Sequence, residues 1–292
     1  MTATVSRPSA AAPAPRSTAG RPPRRAPLRW LREHVVPIAA ALAFVYMLLP
    51  NVIVVLFSFN DPAGRYNYTW QEFSVDAWLD PCAPTGLCAS LGLSLRIGLL
   101  ATLLSTALGT LAAFAMARHR YRGRSTSNVL VFLPMATPEV VMGSSLLTLF
   151  VALQVPLGAT TILIAHIMFA VSFVIVTVKA RIAGLDPRLE QAAMDLYANE
   201  RQTFLRVTFP LVAPGIVAAA MLAFALSFDD YIITNFTASA SSVTFPMYVW
   251  GTASRGTPVQ INVIGTVMFL LALSLVAIGQ LLRLRKNRRA KA

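Results

Sequence analysis

Residues 190–216 read EQAAMDLYANERQTFLRVTFPLVAPGI, a polar segment set between two long apolar runs. Just upstream, Asp186-Pro187 reads as an N-cap followed by a first-turn proline, a strong helix start. Leu189, Ala192, Ala193 and Leu196 then recur at helical spacing and give that helix a small, apolar face. Asn199 tolerates a left-handed turn, and a second short helix carrying Phe204 and Val207 is expected to run to Pro210. Arg188, Glu190, Arg201 and Arg206 frame the small face. Such a face suits docking into a groove on another protein. The plainer alternative is a cytosolic loop lying on lipid headgroups.

The composition surrounding this segment belongs to a membrane protein. Hydrophobic residues make up 56% of the chain and charged ones 13%, with mean hydropathy +0.62, outside the range of soluble domains. A net charge of +13 raises the possibility of nucleic-acid binding, but the placement of the charge argues against it. Of the 25 Lys+Arg, seven lie in residues 1–33, four in 118–124, five in 179–206 and six in 283–291. Even numbers of apolar runs separate these zones, so all four can face one side of a membrane, as the positive-inside rule requires. That reading puts both termini in the cytoplasm and excludes nucleic acid as a partner.

Each crossing needs roughly 20 apolar residues, and the uncharged runs place six, at about 36–59, 95–116, 128–153, 160–180, 212–236 and 261–283. No charge occurs from Val140 to Val178, too long a run for one helix, and Pro156-Leu157-Gly158 divides it. Residues 1–34 are rich in Ala, Pro and Arg without apolar periodicity and read as a disordered basic tail near anionic lipid, matched by a short basic tail at 286–292. The transmembrane domain is therefore expected over 35–285, with a polar loop at 181–211.

The two cysteines, Cys82 and Cys88, fall in the loop expected outside. An oxidising compartment would let them pair, and two free thiols are the equal alternative. No His neighbours them, so no metal site is read there. No GxxxxGK[ST] phosphate loop occurs, and no catalytic constellation is evident. The chain is read as a non-enzyme. His166, in the middle of the fourth apolar run, reads as a packing histidine with satisfied hydrogen bonds.

Charged groups within apolar spans are costly unless they face a cavity or a partner. Glu139 falls about 11 residues into the third expected span, near its midplane at about 1.5 Å rise per residue. Asp229 and Asp230 fall in the fifth. Adjacent helical residues point about 100° apart, so one of the pair is expected to face a pathway while the other caps a break or forms an ion pair.

The loop resembles the EAA segment of ABC-importer permeases, whose pattern is Glu-Ala-Ala, three residues, Gly, nine residues, Ile-x-Leu-Pro. Gln191-Ala192-Ala193, Tyr197 at the glycine position and Val207-Thr208-Phe209-Pro210 fill that register. LDPRLEQAAMDL (185–196), ALSFDDYIITNF (225–236) and PEVVMGSSLL (138–147) resemble the branch serving spermidine and putrescine. The resemblance implies an all-α membrane protein with six transmembrane helices and the MetI-like fold. It also implies ATPase subunits, a second permease subunit and an external substrate-binding protein as partners. No cofactor is expected in this chain, with ATP and Mg bound by the ATPase. The loop residues Glu190, Gln191, Ala192, Ala193, Asp195, Leu196, Tyr197, Ala198 and Pro210 become the expected ATPase-coupling surface, and Glu139, Asp229 and Asp230 the expected cargo path. A polyamine cargo suits three intramembrane acids. Another organic cation, an amino-acid-like solute or ferric iron are the other cargoes, and a stand-alone secondary transporter or channel is a different class altogether. A tyrosine β-carbon makes a left-handed turn costly, so that turn is expected at Asn199, with the Tyr197 ring packed on the ATPase or a neighbouring helix.

Overall fold

The computed structural model describes residues 27–119 and 121–289. Parts of both basic tails, 1–26 and 290–292, together with Arg120, lie outside the described residues. Among those described, the elements are helices apart from one two-stranded ladder. In order they are α1 (Pro27–Phe57), β1 (Asn60–Asp61), β2 (Glu72–Phe73), α2 (Asp76–Leu79), α3 (Leu87–Arg118), α4 (Arg124–Ala136) and α5 (Glu139–Ala152). There follow α6 (Ala159–Ala183), α7 (Arg188–Asp195), α8 (Glu200–Thr203), α9 (Phe209–Asp229), α10 (Ile232–Thr237), α11 (Phe245–Ala253) and α12 (Val259–Arg289). Residues 27–34, expected in the disordered N-terminal tail, are helical, as are 286–289 of the short basic C-terminal tail.

The chain divides into two units at Asn51–Val52. The first contains the N-terminal part of α1. The second holds everything from Val52 onward, and its centre is the packing of α3, α6 and α9. Ala113 and Met116 on α3 meet Ala170, Val174 and Val178 on α6, and Val212, Ala219 and Ala223 on α9. Small residues dominate this seam because apolar side chains gain little over lipid, so helices associate through close backbone approach. Gly109 shows how close: a β-carbon there would lie 2.6 Å from Val174 Cγ1.

Among the described residues, five helices are long and apolar enough to cross a membrane: His34–Phe57, Leu87–Arg118, Ala159–Ala183, Glu200–Asp229 and Val259–Leu281. The second begins eight residues earlier than its sequence pattern suggested, at Leu87.

The third expected span, 128–153, is not one helix. α4 and α5 meet at 103°, and only together do they make a length and hydropathy that pass for a crossing. Thr137 is extended (φ −78°, ψ 131°), the conformation into which a residue ahead of proline is pushed, and Pro138 has no N–H to continue α4. The Thr137 N–H and hydroxyl both donate to Leu133 O, at 3.0 and 2.7 Å, closing α4. Glu139 is therefore the exposed first residue of α5, not a mid-helix acid.

The fifth expected span is displaced as well. The helix after Asn199 does not stop at Pro210. α8 passes through a π-helical turn, Phe204–Thr208, straight into α9. In that wider turn the Phe209 N–H donates to Phe204 O, and Pro210 enters the first turn of α9, where its missing N–H costs least. At its far end α9 stops at Asp229, seven residues short of the expected 236, and Asp230 is extended (φ −66°, ψ 124°).

The segment between α1 and α3 is ordered by side-chain bonds. Asn60 Nδ2 donates to Asn67 Oδ1 (2.7 Å) and to Thr69 O (2.9 Å), and Trp78 Nε1 donates to Ser58 O (3.1 Å). Cys82 and Cys88 form a disulfide, with Cα atoms 5.4 Å apart, at the point where buried Leu87 packs on Ile261 and Ile264 of α12. Of the two expectations for these cysteines, pairing is the one found.

Candidate functional site

Two constructions in the second unit concentrate polar chemistry. The first is the loop from 184 to 208. The Arg188 N–H donates to Asp186 Oδ1 (2.9 Å), so Asp186 caps the start of α7 as its type and position require. At the other end the Tyr197 N–H donates to Met194 O (2.9 Å) and the Ala198 N–H to Ala193 O (3.1 Å). This pair of bonds is the Schellman stop, whose residue after the C-cap must be left-handed. That residue is Tyr197, at φ +62°.

The left-handed turn is thus at Tyr197 and not at Asn199. The position is dictated by the carbonyls at the end of α7, and Asn199 has a different task. At φ −74°, ψ 167°, it caps α8: its Oδ1 accepts the Gln202 N–H (2.8 Å) while Gln202 Oε1 accepts the Asn199 N–H (3.0 Å), a reciprocal capping box. Among the described residues the Tyr197 ring packs on no helix, being 98% exposed beside Leu196 at 81%. Two large apolar side chains thus stand exposed at the tip of a polar loop.

Glu190 ties this loop down. Arg118, the last residue of α3, grips its carboxylate with both terminal nitrogens, and the Thr208 hydroxyl donates to Glu190 Oε1 at 2.6 Å. The Arg118 hydrogen bonds hold the Glu190 carboxyl below its ordinary range against the opposing pull of burial, with Thr208 a further donor. Glu190 is therefore engaged within the chain, whereas Gln191, Ala192, Asp195 and Pro210 are exposed and Ala193 and Ala198 half-buried. A cavity of about 480 Å³ opens beside the ion pair, lined by Phe114, Met194, Glu200 and Phe204 among others.

The second construction is the break between α9 and α10. Asp230 accepts the first-turn N–H groups of α10, Thr234 N at 2.7 Å on Oδ2 and Ile233 N at 3.4 Å on Oδ1, and the Thr234 hydroxyl at 2.7 Å. His166 Nε2, on α6, stands 3.3 Å from Asp230 Oδ2. Asp230 is thus a capping group, 5% exposed. Asp229 is exposed and carries no hydrogen bond or ion pair among the described residues. α5 packs against α10, with Met142, Leu146 and Phe150 around Ile233, so the element that Glu139 begins and the element that Asp230 caps are adjoining. The role of His166 as the centre of this network follows from a fold contact between α6 and α10, for which its sequence neighbourhood carries no sign.

Residues 105–290 match the family described as binding-protein-dependent transport system inner membrane components. The chain belongs to this family. It is a multi-pass membrane protein, the permease component of a binding-protein-dependent transport system. Over 247 residues it is 32% identical to the spermidine/putrescine transport system permease protein PotC of Haemophilus influenzae, covering 84% of this chain and 95% of that one. It is likewise 32% identical to the putrescine transport system permease protein PotI of Escherichia coli K12 over 234 residues, 78% and 83% of the two chains. Among solved structures, a chain from a bacterial ABC transporter that imports the acidic polysaccharide alginate matches with TM-score 0.58 at 16% identity, covering 87% of this chain and 97% of that one. A chain of the MetNI methionine ABC transporter matches with TM-score 0.51 at 14% identity, covering 66% and 90%. At those identities the likeness is one of fold, and the fold is MetI-like.

Proposed function

We propose that this permease carries a polyamine inward as part of an ATP-driven importer, with Asp229 as its cationic-cargo contact. The observation carrying this reading is the division of labour at the helix break: Asp230 is used up as a cap, leaving Asp229 as an exposed carboxylate without a partner among the described residues. A polycation crossing a region of low dielectric needs fixed negative charge, and an unpaired acid there is otherwise costly. The relatives are named for spermidine and putrescine, which supports the same class of cargo. Glu139, exposed at the start of α5, is a second candidate contact.

On this reading α7 is the coupling helix. Leu196 and Tyr197 enter a groove of an ATPase subunit, which binds ATP and Mg and performs the hydrolysis; this chain performs none. A second permease subunit completes the pathway, and an external binding protein delivers cargo to the side bearing Cys82–Cys88. The loop at 184–208 and both termini face the cytoplasm. Nucleotide at one end and loaded binding protein at the other bias the same two global states, which makes the coupling reciprocal.

The test is ATP-driven uptake of labelled spermidine by vesicles containing the assembled complex. Asp229→Asn keeps volume and hydrogen-bonding capacity while removing charge, and is expected to lose most uptake at an unchanged permease level. Uptake by Asp229→Asn equal to that of the unmodified complex would overturn the cation-contact reading.

A further inference from the structure

His166 lies within α6, yet its imidazole reaches two other elements. Nδ1 is 2.7 Å from Ser227 Oγ on α9, and Nε2 is 2.9 Å from Thr234 Oγ1 on α10 and 3.3 Å from Asp230 Oδ2. All four side chains are buried or nearly so, His166 at 3% and Thr234 at 0%. Hydrogen counting assigns the roles. The Thr234 hydroxyl has one proton, and its shortest acceptor is Asp230 Oδ2 at 2.7 Å. Toward His166 it therefore presents only lone pairs, so Nε2 must carry the hydrogen. Nδ1 makes the second contact, with the Ser227 hydroxyl. The donation from His166 Nε2 to Thr234 and Asp230, with Ser227 behind the ring, joins three helices.

We propose that His166 is a positioning residue for cargo passage. Its Nε2–H holds Asp230 and Thr234 at the head of α10, keeps the Asp230 carboxylate turned into the fold, and leaves Asp229 as the acid presented at the break. The proposal rests on the reading of Asp229 given above. The physical argument is one of satisfaction. A buried carboxylate deprived of a donor must find another, by turning toward water, toward cargo or toward a shifted α10. Any of these disturbs the break, and with it α5, which packs on α10.

Glutamine and asparagine separate the two ring nitrogens. The amide nitrogen of glutamine reaches the Nε2 position, whereas that of asparagine reaches only Nδ1. In vesicles containing the assembled complex, His166→Gln is expected to take up labelled spermidine within about twofold of the unmodified rate. His166→Asn at equal permease level is expected to fall roughly tenfold, the scale of one hydrogen bond to a charged group. A second readout does not depend on cargo. A β-carbon on Gly143 would lie 3.3 Å from Phe236 Cβ, close to the roughly 3.8 Å of a disulfide. The pair Gly143→Cys with Phe236→Cys should therefore cross-link α5 to α10, undiminished with His166→Gln and markedly less with His166→Asn. If His166→Asn does not accumulate in the membrane, Thr234→Val breaks the same donation and is expected to show the same losses. Full uptake and cross-linking in the asparagine variant, or equal damage from glutamine and asparagine, would overturn the proposal. Cross-linking that still separates the two variants, in a complex that takes up no spermidine, would sink the polyamine reading and leave the positioning role standing.

Discussion

At the scale of single residues, Tyr197 and Glu190 make opposite kinds of statement. Tyr197 stands at φ +62°, where a β-carbon costs roughly 1 kcal/mol relative to glycine. Tyr197→Gly should accordingly make the 190–208 loop more resistant to protease in the purified complex, while Tyr197→Ala keeps the strain and removes only the ring. If the ring docks on the ATPase, both variants should weaken ATPase retention, and only the glycine should protect the loop. Glu190 has a carboxyl held below its usual range, first by its Arg118 hydrogen bonds. A group whose folded pKa is depressed contributes stability above its unfolded pKa and loses it as pH falls through the folded one. Anchoring of α7 should hold at neutral pH and weaken as pH drops below the ordinary carboxylate value of 4.5. Glu190→Gln should be less protected at neutral pH and show little change over the same range. A wild-type protease-protection profile flat down to pH 3, or one matching the glutamine variant, would contradict this.

At the scale of elements, α7 is a short amphipathic helix whose ends are both set by local chemistry: Asp186 at the start and the Schellman bonds at the finish. Its small apolar face is legible from the spacing of Leu189, Ala192, Ala193 and Leu196, but only the fold separates Ala192, which is exposed, from Ala193, which is half-buried. Ala192→Trp should therefore abolish co-purification of the ATPase with the permease present in the membrane at its usual level. Retained ATPase would show that the exposed side of α7 is not the docking face. The α4–α5 bend and the π turn before Pro210 follow one rule. Proline removes a donor and blocks a neighbouring conformation, and the chain answers with a break where Pro138 follows an extended Thr137, or with a wider turn where the helix continues.

At the scale of the whole molecule, the four basic zones are the ground for the proposed orientation. Among the described residues no cysteine is free, so an introduced thiol reports without background there. Ser125→Cys, exposed in the first turn of α4, should resist a membrane-impermeant reagent in intact cells, and Tyr68→Cys, 71% exposed, should label. The reverse pattern would invert the assignment.

The sequence by itself determined the membrane class and the polar helical loop set between its apolar runs. Those depend on composition and on periodicity within one helix, which are local properties. Pro138 is a local signal of the bend and Tyr197 stands where the EAA pattern has glycine, although the uncharged run suggested one span and the tolerance of asparagine for a left-handed turn pointed to Asn199. Only the tertiary structure decided which of Asp229 and Asp230 is available, because it shows Asp230 spent on the head of α10 beside a histidine 64 residues away on α6. Likewise, only the fold brought Arg118 to Glu190 and made an expected docking residue into an anchor. A buried polar group is spent or free according to which donors packing delivers to it, and packing partners distant in the chain leave no periodic trace in the sequence.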